Sequence, residues 1–157
     1  MRKLLYALPF LLFASWPAFS QARNVPPPAT CTPQVNQGLQ DLLNSGTKKD
    51  VDNIMVCGDA VGKTRLQSGG PHGNHHVTTL SVNLPDGRNI RVQVVSNDDL
   101  DGVITANPND HVAAYGQGYL THGQAQAGVH DVHCSTHTGA DNGWVYINGQ
   151  AATPACN

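Results

Sequence analysis

Residues 77–84 constrain this chain most. Val77, Thr79, Ser81 and Asn83 alternate with Thr78, Leu80, Val82 and Leu84. That period of two suits an extended strand, whose successive side chains leave on opposite faces. Pro85-Asp86-Gly87-Arg88 follows as a turn with a glycine available for positive φ, and Ile90, Val92 and Val94 carry the return strand. All eleven acidic residues are aspartates. The absence of glutamate, a good helix former, beside abundant Gly, Asn, Thr and Val favours strands and turns elsewhere too.

The rest of the chain fits that frame. Thr32 is placed to cap a helix with Pro33 in its first turn, and Val35, Leu39, Leu42 and Leu43 form one apolar face before Ser45-Gly46 stops it. Ile54 to Leu66 reads as a long first strand, with bends or bulges at Gly58 and Gly62. Ser68 to Asn74 is a glycine-rich loop, and Asp98 to Ile104 a short helical or looped crossover. Strands are expected over His111–Thr121, Val129–Thr136 and Val145–Asn148, the first entered through the turn Asn107–Asp110. These spacings predict a mainly β fold, a small antiparallel barrel of five or six strands with one N-terminal helix and a short crossover helix. An open β-sandwich is the rival.

The first 22 residues have the pattern of a signal peptide: Arg2 and Lys3, an apolar stretch from Leu4 to Ala14 broken by Pro9, then small residues. Cleavage is expected after Ser20 or Ala22, with Ala22 preferred. No cysteine stands at that point, so no lipid anchor is expected, and the apolar stretch is too short to span a bilayer. Residues 23–31, with three consecutive prolines, read as a stiff linker. Residues 32–157 are expected to form a single domain. The mature chain is expected to be soluble and periplasmic or secreted. It would carry seven basic residues against eleven aspartates, a balance that disfavours nucleic acid, whose binding draws on phosphate neutralisation.

Cys31, Cys57, Cys134 and Cys156 form an even set, so an exported chain should pair them. Three pairings are open. Cys31–Cys57 and Cys134–Cys156 are preferred because each closes a loop of moderate length. The competing reading makes Cys134 a zinc ligand beside its histidines.

Several motifs invite chemistry. Gly58 to Thr64 imitates a phosphate-binding loop, but has three residues between its glycines where four are needed, and no helix is expected after it. Asn97, Asp99, Asp101 and Gly102 match the start of a calcium loop, yet Pro108 stands where a bidentate glutamate belongs. A solvated turn with aspartates capping a short helix is the simpler account. His130, His133 and His137 cluster around Cys134. On a continuous strand, Asp131, His133, Ser135 and His137 would share one face, half of a zinc or other divalent-metal site. The loop bearing His72, His75 and His76 is a candidate source of the remaining ligands. The alternative is that these histidines are solvated or fix turns. His76-Val-Thr78 and His133-Cys-Ser135 also echo the paired elements of two-histidine phosphoesterases, a weak likeness in a chain short for that fold. Trp144 is expected to seal the barrel end, and Tyr115, Tyr119 and Tyr146 to pack in the core or rim.

Taken together, Gly58, the His75 loop, Asp86-Gly87, Asn97-x-Asp99-Leu100, Asn109-Asp110, Gly128-Val-His130-x-x-His133 and Gly143-Trp144 make the stretch from about Ile54 to Gln150 resemble a family. Its members are small exported bacterial proteins known only as a domain of unknown function. The resemblance implies an OB-like barrel. This chain departs from the pattern at Cys134, where such sequences often carry histidine, and at Asp131, where an aromatic is common. It implies no reaction. The function expected is ligand or metal binding through His75, His133 and His137, with Asp131 and His130 nearby and His72, His76, Asp99 and Asp101 as secondary candidates. The alternative is a metal- or histidine-dependent hydrolase of phosphoesters or nucleic acid.

Overall fold

The computed structural model describes residues 23–69 and 73–156. The expected signal peptide (1–22), its cleavage point and His72 lie outside the described residues. Pro33–Asn36 form a 3-10 turn that runs into helix α1 (Gln37–Ser45). Strands β1 (Val51–Ala60), β2 (Arg65–Gln67), β3 (His75–Asn83) and β4 (Asn89–Asn97) follow, then the single-turn helix α2 (Asp98–Asp101). β5 (His111–Leu120), β6 (Ala127–His130), β7 (Trp144–Ile147) and β8 (Gln150–Ala151) complete the chain.

The sheet runs β1-β3-β4-β6-β5, and β5 pairs back onto β1, which closes a five-stranded OB-like barrel. Every pairing is antiparallel except β4 with β6, which is parallel. Two strands divide an edge between neighbours. Along one edge of β5, residues 112–115 pair with β7 and residues 117–120 with β6. Likewise β3 takes β2 at His75–Val77 and β1 at Leu80 and Ser81. Pleating sends Val56, Leu80, Val82, Val92, Val112, Val129 and Val145 inward, all essentially inaccessible. α1 adds Leu39 and Leu42 to the same core, lying over Ile54 and Gly118.

The anticipated hairpin is present: β3 pairs with β4 in unbroken register from His75↔Asn97 to Asn83↔Asn89, around a turn with Gly87 at φ 87°. The helix ends as read, with Gly46 left-handed at φ 59°. Its start differs, for Thr32 makes no side-chain cap bond. Instead Asn36, buried inside the bend, accepts from Cys57 N–H at 2.8 Å and donates to the carbonyls of Cys57 and Asn83 at 3.1 and 3.0 Å.

The long first strand does not form. The chain leaves β1 at Ala60 and re-enters the sheet as β2. The register irregularity falls between Val51 and Ile54, where Asn53 has φ 65°. Gly58 serves another purpose, since any Cβ there would overlap the carbonyl oxygen of Ser81 on β3. β8, a short strand beyond the Asn148-Gly149 turn, was not anticipated; both turn residues have positive φ, as a tight hairpin demands.

Both preferred disulfides are present, Cys31–Cys57 and Cys134–Cys156. They indicate an oxidising, non-cytoplasmic environment, and Cys134 is therefore no zinc ligand. Among the described residues no helix is long and apolar enough to cross a membrane.

The segment read as a linker is instead strapped to the barrel. The Arg23 guanidinium forks onto Asp141 at 2.9 and 3.2 Å, Asn24 bridges to Asn142, and Trp144 donates its indole N–H to the Val25 carbonyl at 2.7 Å. Trp144 thus sits under the strap, stacked on Tyr115 and edge-on to Tyr146, not at a barrel mouth.

Candidate functional site

The ends of β4, β5 and β6, the start of β3 and the turn before β1 surround a cleft of about 570 Å³ at one end of the barrel. His75 reaches it from β3 and His130 from the last position of β6, while Asp131, His133 and His137 come from the loop beyond. The two histidine-bearing segments, distant in sequence, thus line one surface.

The route by which they do so differs from the strand expected over Val129–Thr136. β6 stops at His130, and Asp131 turns left-handed at φ 52°. The alternation that would have aligned Asp131, His133, Ser135 and His137 is broken there. The loop is held by Gly143 N–H donating to the His133 carbonyl at 2.8 Å, by Ser135 N–H on the Asn142 side chain, and by Cys134–Cys156.

His133 is the most firmly positioned member. Its Nδ1 lies 3.2 Å from Oδ1 of Asp101, whose side chain is 1% exposed. The other oxygen of Asp101 accepts the Asn97 N–H at 2.6 Å. Because a carboxylate only accepts, the proton of this contact belongs to Nδ1, which leaves Nε2 for chemistry. Hydrogen bonding to Asp101 raises the His133 pKa above the usual imidazole value, against an opposing effect of burial. The expectation that Asp101 is a solvated cap is thereby corrected. It is a buried carboxylate that orients an imidazole. Asn97 does cap α2, accepting from Asp99 N–H at 2.9 Å, and Asp99 itself is exposed.

The remaining imidazoles differ in their neighbours. His130 has Asp50 3.3 Å from Nε2 and Asp131 3.3 Å from Nδ1, so each ring nitrogen faces a carboxylate. Tyr119 meets His130 edge-on at 5.1 Å, and burial, then the Asp50 charge, raises the tyrosine pKa. Gly128 makes room for that phenol, since any Cβ there would overlap the ring. His75 Nε2 contacts the Asn97 amide at 3.3 Å. His137 lines the cleft but is exposed. His76 is excluded: one residue along β3 from His75, it pairs with Asp98 and does not line the cleft.

Among the described residues no three His, Cys, Asp or Glu side chains are grouped so as to hold an ion. The expected ligands His75, His130, Asp131, His133 and His137 share a cleft, where Nε2 of His75 contacts the Asn97 amide and both ring nitrogens of His130 face carboxylates. The two His-x-Thr/Ser elements are not brought together in this cleft. His76 lies outside the cleft, while Thr78 is bonded to Thr64 at 2.6 Å and Ser135 to the His137 backbone.

Asp50 and Asn97 were missed as cleft residues. Asp50 has no sequence signal, being one aspartate before a strand, and Asn97 was read only as a calcium-loop oxygen. Comparison with protein-family models, with curated proteins and with solved structures finds no match to this chain.

Proposed function

We propose that this is an exported binding domain that holds a small polar ligand in the barrel-end cleft. One observation carries the reading: His75 and the His130–His137 segment line the same cavity of about 570 Å³, a size suited to a small organic molecule. Most of its polar groups are pre-set by internal contacts, so binding orders few side chains. The two disulfides and the signal-like leader support a periplasmic or secreted site of action. Nucleic acid is disfavoured as a partner because no lysine or arginine lines the cleft among the described residues. Heteronuclear NMR titration with a panel of amines, sugars, nucleotides and zinc tests the reading. Shifts at His75, Tyr119, His130 and His133 together are expected for at least one organic probe, and no response at these four from any would end it.

A second reading is a metal-independent, histidine-assisted hydrolase, favoured by the contact of Asp101 with His133. A buried carboxylate holding Nδ1–H leaves Nε2 as a general base for water. Among the described residues the cleft lining offers no Ser, Thr or Cys, so the attack would be by water and not by a covalent nucleophile. Turnover of phosphodiester and ester chromogens that survives chelator and is lost in His133→Ala would favour it.

A further inference from the structure

Every carboxylate in the cleft is answered from within the protein. Asp50 and Asp131 face the two ring nitrogens of His130, and Asp101 holds His133. No lysine or arginine of the described residues lines the cavity. The charges of the lining therefore single out no ionic ligand. Hydrogen bonding does discriminate, because His75 and His133 each keep one ring nitrogen that bonds to no protein group among the described residues.

The partners of the other two nitrogens fix what these free positions offer. The Asn97 side-chain oxygen accepts the Asp99 N–H at 2.9 Å, so its amide nitrogen is the atom that meets Nε2 of His75 at 3.3 Å. An amide nitrogen only donates, so Nε2 of the neutral ring accepts and the proton sits on Nδ1. His75 thus offers a donor. His133 has the same tautomer from the opposite cause. Asp101 only accepts, the proton again sits on Nδ1, and the free Nε2 presents a lone pair. Asn97 sets both rings, since it touches His75 with its side chain and Asp101 with its backbone N–H at 2.6 Å. Val95 lies two residues back on β4 and so points to the same side as Asn97; with Leu100 it gives the cleft an apolar part.

We infer that the cleft takes a neutral secondary amide, its carbonyl accepting from Nδ1 of His75 and its N–H donating to Nε2 of His133. An amide carries one strong acceptor and one donor on a single planar group, the complement of what the two rings present. Its alkyl arm lies against Val95 and Leu100. A ligand with acceptors alone would set a lone pair against Nε2 of His133 and leave that nitrogen desolvated without a partner. The inference rests on the binding reading above and narrows it to one ligand chemistry.

The test uses the mature chain with both disulfides formed and a matched pair of neutral probes, N-butylacetamide and butyl acetate, in which an ester oxygen replaces the N–H. NMR titration at about pH 8.5 keeps the imidazoles neutral. The amide should bind about tenfold tighter than the ester, as expected when a neutral hydrogen bond is exchanged for an unmade one. In the unaltered protein the amide should move the nitrogen shift of His133 Nε2 and the ester should not, whereas both should move that of His75 Nδ1. Variants shown folded by their backbone N–H spectra then separate the two contacts. His133→Ala should abolish the preference for the amide and leave ester affinity nearly unchanged. His75→Ala should weaken both probes alike and keep the preference. Equal binding of the two probes, equal shifts at His133 Nε2, a preference that survives His133→Ala, or no response to either probe would overturn the inference. If organic probes of the broader panel still shift His75, Tyr119, His130 and His133 together, the binding reading survives without it; if none does, both fall.

Discussion

The carboxylate of Asp101, almost wholly buried, stands 3.2 Å from the Nδ1 of His133 and 2.6 Å from the backbone N–H of Asn97. One residue of a single-turn helix therefore ties the end of β4 to the loop beyond β6. It also sets the tautomer of the most firmly held imidazole in the cleft. Both functional readings depend on this contact.

Its removal has a pH signature. The folded His133 pKa is raised, so the pairing stabilises the fold fully below the unfolded imidazole value of 6.5 and the benefit is lost as pH rises through the folded value. Asp101→Asn should cost about 1–3 kcal/mol near pH 6 and clearly less near pH 8. Urea melts at the two pH values check this, and the His133 Cε1–H titration in the variant should move down. An equal cost at both would mean the contact is not an ion pair.

Asn36→Ala should destabilise the protein by about 2–4 kcal/mol, because the backbone N–H of Cys57 and the carbonyls of Cys57 and Asn83 lose a buried partner together. Chemical denaturation measures it. A cost within experimental error would show that water replaces the amide.

Gly128→Ala drives a methyl into the Tyr119 ring. A loss of about 1–3 kcal/mol is expected. The ring must also leave its edge-on contact with His130, so the His130 ring shifts should change in the same variant while those of His111, at a different end of β5, stay put.

The N-terminal strap should loosen in acid. Arg23, by hydrogen bonding, holds the Asp141 carboxyl below its usual range, so this contact stabilises above the unfolded aspartate value and is lost as pH falls through the folded one. Hydrogen exchange should show protection of the Asn142 amide, which donates to the Arg23 carbonyl, falling at the acid end before that of β3 and β4. In the same network, burial and Asp141 push Tyr115 up to about 12. Asp141→Asn should bring its ultraviolet titration back toward the ordinary phenol value.

Opening Cys134–Cys156, as in the Cys134→Ser, Cys156→Ser double variant, frees a loop with a sequence separation of 22. About 3 kcal/mol of stability should go with it. Calorimetry reads that loss, and NMR should show His133 and His137 broadened more than His75, which β3 still holds.

Period, turn chemistry and cysteine spacing made most of the barrel legible in the chain: the β3–β4 hairpin, the leading helix, the crossover and both disulfides follow from local rules. Each of these features is specified by residues a few positions apart or by a small number of pairings. The clustering of His130, His133 and His137 also marked the right loop. What the sequence could not decide was which way those imidazoles face, because one left-handed residue, Asp131, breaks the alternation on which such a reading depends. Nor could it turn Asp99 and Asp101 apart, one exposed and one buried against His133, since that follows from where a single-turn helix docks. Arg23 finds Asp141 across 118 positions for the same reason. Contacts of that range form only when closure of the barrel brings its ends together, and no local pattern encodes them.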